Sequence, residues 1–166
     1  MKDLYDFLID RLQGVKKLAV LGAGSVLRAD DAAGVMAVEN LMADCGTDKY
    51  PDVRFYLGET APENYSGNIR IFRPSHILII DAADLGQKPG DIVDINPETV
   101  GGPTFCSHML PLKIMIDYLI SETGAAVTLL GIQYKNIAFD TAMTTEIQEA
   151  VDEVCITLKR VIDELL

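Results

Sequence analysis

Acidic side chains and a histidine stand where apolar stretches of this sequence end. Asp30 and Asp31 follow "KKLAVLGAG", and Glu59 and Glu63 lie in "GETAPEN", just after "VRFYLG". Asp81 terminates the apolar run "HILII", with Asp84 three residues on, and His108 sits in "TFCSHML" ahead of another apolar segment. Two carboxylates and an imidazole suit a divalent ion such as zinc, nickel, iron or manganese. The same groups could instead serve as general acids and bases. The other histidine, His76, precedes an apolar stretch on the opposite side and reads as a satisfied structural residue.

The glycines of "LGAGSVLRADDAAGV" raise a competing possibility, a phosphate site. The stretch lacks the third glycine of a dinucleotide fingerprint and the lysine of a P-loop. Asp30 and Asp31 would repel a pyrophosphate at a helix N-terminus. The glycines therefore read as a tight turn, and the acids as groups awaiting a cation or a proton.

These residues need elements to hold them, and the chain alternates strand and helix patterns. An amphipathic helix covers about residues 2–13. A buried strand ends in "GAG". "DDAAGVMAVENLMADC" places Val35, Val38, Leu41 and Cys45 at helical spacing, with carboxylates in the first turn where the helix dipole favours them. Strands follow at "VRFYLG", "HILIIDAAD", "GDIVDI" and "AAVTLLGIQ", with a short helix at "YSGNIRIF" and a longer one at "LPLKIMIDYLISETG". The last segment carries Ile147, Val151, Val154, Leu158, Val161 and Leu165 at steps of four and three, with Thr145 and Gln148 as a capping box. The alternation predicts an α/β three-layer sandwich: a twisted, mostly parallel sheet with helices on both faces. Ligands bind such sheets beyond the carboxyl ends of the strands, the rim that carries the acids and His108.

The 166 residues fit one domain spanning 1–166. A net charge of −11 argues against nucleic acid as a partner. No apolar run is long enough for a membrane span. The N-terminus has no apolar signal core, which points to the cytoplasm. Cys45, Cys106 and Cys155 are odd in number and lack C-x-x-C spacing, so disulfides and cysteine-based zinc sites are poor readings. Cys45 and Cys155 fall on apolar helix faces. Cys106, two residues from His108, reads as a small buried side chain, with a nucleophile as the alternative.

Taken in order, "LGAGSVLRADDAAGV", "GETAPEN", "ILIIDAADLGQKPGDI", "SHMLPL" and "LLGIQ" resemble the hydrogenase-maturation endopeptidases, particularly the branch acting on formate-hydrogenlyase-type enzymes. The resemblance spans roughly residues 17–160. It implies an α/β sandwich that removes a C-terminal extension from a nickel–iron hydrogenase large-subunit precursor after nickel insertion. It implies that the family's nickel-recognising positions are Asp31, Asp81 and His108 here, with nickel supplied by the precursor. Asp31 and Asp81 are then also the candidate catalytic carboxylates, and Glu59 and Asp84 the candidate substrate-binding acids of a monomeric enzyme. The family usually has Asn where Ser25 stands and often has Gly where Ala29 and Ala32 stand. Alanine is tolerated there if the local φ is negative. Two other classes stay open: a non-catalytic nickel-sensing or chaperone module, and a nucleotide-binding α/β domain.

Overall fold

A computed structural model describes residues 3–46, 49–99 and 109–166, the side chains of 109–111 excepted. The strands are β1 (Leu18–Ala23), β2 (Val53–Glu59), β3 (His76–Ala83), β4 (Ile92–Ile95) and β5 (Ala126–Gln133). They form one sheet in the order β2-β1-β3-β5-β4. β2, β1, β3 and β5 run parallel, whereas β4 pairs antiparallel with β5 at the edge. The helices are α1 (Leu4–Leu12), α2 (Ala33–Cys45), α3 (Ser66–Phe72), α4 (Met109–Thr123) and α5 (Thr145–Leu165).

Two cores sandwich the sheet. Strand side chains alternate between faces because successive Cβ atoms point to opposite sides. Leu18, Val20, Leu78 and Ile80 join the core under α1, α2 and α5. Ala19, Leu21, Ile77 and Ile79 join the core under α3 and α4. In α5 the predicted spacing is realised: Ile147, Val151, Val154, Leu158 and Val161 are all fully buried. Each such burial contributes about 1.5–3 kcal/mol. A charge at Leu158 would therefore disrupt the packing of α5 in this core.

This layering fixes where a ligand can sit. The chain leaves β1 through α2 on one face and leaves β2 through α3 on the other. The carboxyl ends of β1 and β3 thus flank a topological switch point. Gly34 lets α2 reach that point. A Cβ on it would fall 2.1 Å from the Ile80 carbonyl oxygen and 2.4 Å from that of Ala23.

Three local expectations are corrected. The acids at 30 and 31 do not lie in the first turn of the helix. They sit in a separate 3-10 turn, Ala29–Ala32, and α2 begins at Ala33. The capping box at Thr145 and Gln148 is not formed, because Thr144 is the N-cap and its side chain makes no cap bond. Gln148 instead donates to Asp152 Oδ1 at 3.2 Å. Finally, Ala29 has φ +38°, so the condition of negative φ fails at this position. Ala32, at φ −74°, meets it.

Far from the acidic rim, His76 opens β3 and is buried, its Nε2 2.8 Å from Thr128 Oγ1. Burial, then the charge of Arg11, lowers its pKa to about 4. It is a neutral structural residue. Cys45 and Cys155 are buried, as their helical positions indicate.

Candidate active site

The site forms where β1, β2 and β3 end. β1 stops at Ala23, and the chain turns sharply through Gly24 at φ +124°. Only glycine fits this turn. A Cβ at position 24 would fall 1.8 Å from the Asp31 carbonyl oxygen and 3.8 Å from Asp81 Oδ1. Asp31 with its backbone and Asp81 with its carboxylate thus both come up to Gly24, and both residues line one cavity. A small cavity of about 70 Å³ opens beside them, with Glu59, Thr60 and Tyr134 in its walls.

Asp81 lies one residue past the end of the pairing between β3 and β1, opposite Gly131 of β5. It is 9% exposed. Burial first, and then the neighbouring charge of Asp31, raise its pKa to about 7, against a lowering by the Ala82 backbone hydrogen bond. A carboxyl group so placed exchanges its proton near neutrality, a property typical of functional sites. Asp31 is half-buried, and its Oδ2 accepts the Ser25 backbone N–H at 2.9 Å. That bond comes from the main chain, so serine supplies it as well as asparagine would.

Asp30, one residue earlier, has a different environment. It is 0% exposed. Its Oδ2 accepts the backbone N–H of Lys135 at 2.9 Å and of Asn136 at 2.7 Å. Its Oδ1 accepts the Thr144 N–H at 2.7 Å, and the Thr144 hydroxyl donates to Oδ2 at 3.1 Å. Its own N–H donates to the Asn136 carbonyl at 3.0 Å. Asp30 therefore pins the β5–α5 loop to the turn that carries Asp31. Adjacent carboxylates look equivalent in sequence, and nothing in residue type distinguishes them.

Glu59 ends β2 in the left-handed region at φ +49°, next to a bulge where Ala23 pairs with Glu59 and Gly58 is skipped. Its carbonyl accepts the Gly24 N–H at 2.9 Å, which ties the two strand ends together. Its side chain lines the cavity with Asp31 and Asp81. Asp84 is exposed and is not among the residues lining that cavity. Its Oδ1 accepts Gln133 Nε2 at 3.3 Å and the Gly86 N–H at 3.4 Å. Glu63 lies exposed in the Pro62–Tyr65 turn, also outside the cavity lining. His108 and Cys106 lie outside the described residues. Among the described residues, no three His, Cys, Asp or Glu side chains gather to hold an ion.

Gln133 was not singled out by sequence reasoning. It is buried at the end of β5, and its Oε1 accepts the N–H groups of Leu85 at 2.6 Å and Gln87 at 3.1 Å. It fixes the loop that follows Asp81. A polar residue ending an apolar strand was the available signal.

Known proteins share this fold and much of this sequence. A hydrogenase maturation protease family model, HycI, matches residues 35–161. The chain belongs to the hydrogenase maturation protease family. Its activity is that of an endopeptidase. It is 34% identical to the hydrogenase 3 maturation protease of Escherichia coli strain K12 over 136 residues, 81% of this chain and 84% of that protein. The crystal structure of the [NiFe] hydrogenase maturation protease HycI from Thermococcus kodakarensis superposes with a TM-score of 0.87 at 27% identity, covering 95% of this chain and 99% of that one. A crystal structure of the hydrogenase 3 maturation protease gives 0.68 at 32% identity, covering 90% and 88%. The matches to these relatives and structures cover from 81% to 95% of the chain. Within this hydrogenase maturation protease, the alanine at position 29 has a structural cost. The turn keeps its left-handed shape without the glycine that would relax it.

Proposed function

We propose that this protease removes the C-terminal extension of a [NiFe]-hydrogenase large-subunit precursor after nickel has been inserted, and that it reads the precursor's nickel. The observation that carries this reading is that Asp31 and Asp81 line one cavity at Gly24, with Asp81 held near neutral pKa. Two carboxylates facing one small cavity repel each other, and an incoming cation relieves that repulsion. Nickel is treated as part of the substrate, held by the precursor. Asp31, Asp81 and His108 are the proposed ligands this chain offers to it. The enzyme acts in the cytoplasm as a monomer, and no helix among its described residues is long and apolar enough to cross a membrane.

Grasping the metal would fix the precursor's tail against the rim. There the scissile carbonyl meets a water molecule whose proton must go to a base. Asp81, deprotonated at about pH 7 and above, can accept that proton and return it to the leaving amine. Asp31, oriented by the Ser25 N–H, holds the negative charge that faces the cation. Glu59 lines the cleft and contacts the tail without binding metal, and Asp84, outside the cavity lining, is proposed to bind the tail further along.

A second reading draws on the same raised pKa of Asp81 beside Asp31. Two neighbouring carboxyl groups, one of them with a raised proton affinity, can share acid and base roles without metal. One experiment divides the readings. Enzyme stripped by chelator, then freed of chelator, is given nickel-loaded or nickel-free precursor and followed by mass spectrometry. Cleavage of the loaded form alone is expected. Equal cleavage of both forms would favour the carboxylate-only reaction.

A further inference from the structure

Nine large apolar side chains are exposed among the described residues, and three of them stand on the two loops beside the cavity. Val26 and Leu27, 55% and 58% exposed, lie on the turn between β1 and Asp30. Phe139, 63% exposed, lies on the β5–α5 loop. Isolated exposed apolar residues need no explanation. These three are not isolated in the backbone. The Asp140 N–H donates to the Leu27 carbonyl at 2.8 Å, which joins the tips of the two loops.

The same loops form the cavity wall. Gly24 and Asp31 come from the first, Tyr134 and Ile137 from the second. Both are clamped below by the buried Asp30 carboxylate through Lys135, Asn136 and Thr144. Both also carry non-glycine residues in the left-handed region, Ala29 at φ +38° and Asp140 at φ +52°. Such conformations cost free energy and persist only where surrounding structure holds them. The fold thus maintains two strained loops in one fixed arrangement that presents carbon to water.

We infer that Val26, Leu27 and Phe139 form an apolar ledge that docks an extended, apolar stretch of the precursor next to its scissile bond. The inference rests on the proposed reading of the cavity as the cleavage site. The occupant follows from continuity with that site. A chain whose metal-bearing end lies between Asp31 and Asp81 reaches these loops directly, because they form part of the cavity wall. The carboxylates match a cation, and the ledge matches the uncharged chain beside it. The cavity itself is too small to hold more than the reacting group, so recognition of a longer segment must come from outside it. Preformed loops reduce the ordering cost of that contact.

The test compares the wild type with the double variant Leu27→Ser, Phe139→Ser. Calorimetry gives Kd for nickel-loaded large-subunit precursor, and mass spectrometry gives kcat and KM. Both positions are exposed, so the melting temperature should stay within about 2 °C. Kd and KM should rise at least about tenfold, with kcat at saturation within about twofold. Leu27→Met alone should leave both close to wild type. An unchanged Kd in the double variant would overturn the ledge, whether or not the bond is cut. Failure of the wild type to bind precursor would overturn it as well. Binding without cleavage by the wild type would sink the proposed function instead, and the ledge would stand or fall by Kd. A wild type that sediments as a dimer alone, and a double variant that does not, would assign the ledge to a second copy of this chain and overturn docking of the precursor.

Discussion

Asp30 and Asp31 share a peptide bond and a 3-10 turn, yet they occupy opposite physical situations. Asp30 is fully buried, and its carboxylate accepts three backbone N–H groups and one hydroxyl. Asp31 is half-buried, accepts one N–H, and faces a cavity and a second carboxyl group. A buried carboxylate whose acceptor sites are filled has nothing left to offer a ligand, and it stabilises what surrounds it. A carboxylate with open acceptor capacity in a cavity beside a like charge contributes little to folding and is available for chemistry. One short turn therefore holds a structural acid and a functional acid side by side.

The contrast can be broken most forcefully at Asp81, the partner on the functional side. Asp81→Asn should lower kcat for nickel-loaded precursor by about 10²–10⁴, the range for loss of a positioned acid–base group. It should also change the pH dependence of stability in a defined direction. The folded-state pKa of about 7 lies above the unfolded value of about 4. Between those values the native protein keeps a proton the unfolded chain has lost. Stability from this group is therefore full below about pH 4, falls as pH rises, and levels off above about pH 7. The difference in unfolding free energy between Asp81→Asn and the wild type should grow in the variant's favour by on the order of 3–4 kcal/mol over that window. Denaturant titrations at pH 4 and pH 8 would measure it. A difference that does not change with pH would remove Asp81 from the functional side.

Asp30 should respond the other way. Asp30→Ala strands three buried N–H groups and a hydroxyl, a loss of about 3–5 kcal/mol. The melting temperature should fall by roughly 8–15 °C, measurable by calorimetry. A shift under about 2 °C would mean that the carboxylate is not the clamp described.

Smaller effects sharpen the comparison. Glu59→Gln should raise KM by up to about tenfold and spare more activity than Asp31→Asn, because Glu59 lines the cleft without being the charge that raises the pKa of Asp81. Abolished activity in Glu59→Gln alone would reverse those roles. Ala29→Gly should raise stability by about 0.5–1 kcal/mol, or roughly 2–4 °C, by relaxing the left-handed backbone. A drop in melting temperature would show that the turn is not under strain at this position.

Much of this arrangement was legible in the sequence, and the gaps have physical causes. Alternating strands and amphipathic helices place Asp31 and Asp81 on one rim because parallel strands end together. "HILII" ending at Asp81 marks the central strand directly. The antiparallel direction of β4 could not be read, since a four-residue strand carries no signal of its partner's direction. Asp30 could not be separated from Asp31, because a four-residue 3-10 turn is too short to display a period that tells inward from outward. Its partners lie more than a hundred positions away, at Lys135, Asn136 and Thr144. The strain at Ala29 was hidden for a related reason, since residue type favours but does not set φ. Gln133 holds the loop after Asp81 through backbone partners at 85 and 87, contacts that only the tertiary fold creates.

The division of labour in this turn is tested most directly by putting Asp31→Asn and Asp30→Asn through one paired measurement, melting temperature and cleavage of nickel-loaded precursor on the same samples. Asp31→Asn should melt within about 2 °C of the wild type while cleavage falls at least about a hundredfold. Asp30→Asn should lose several degrees, and any loss of activity below its melting point should be the smaller of the two. An Asp31→Asn enzyme that still cleaves the precursor at the wild-type rate, or that melts as low as Asp30→Asn, would contradict the account.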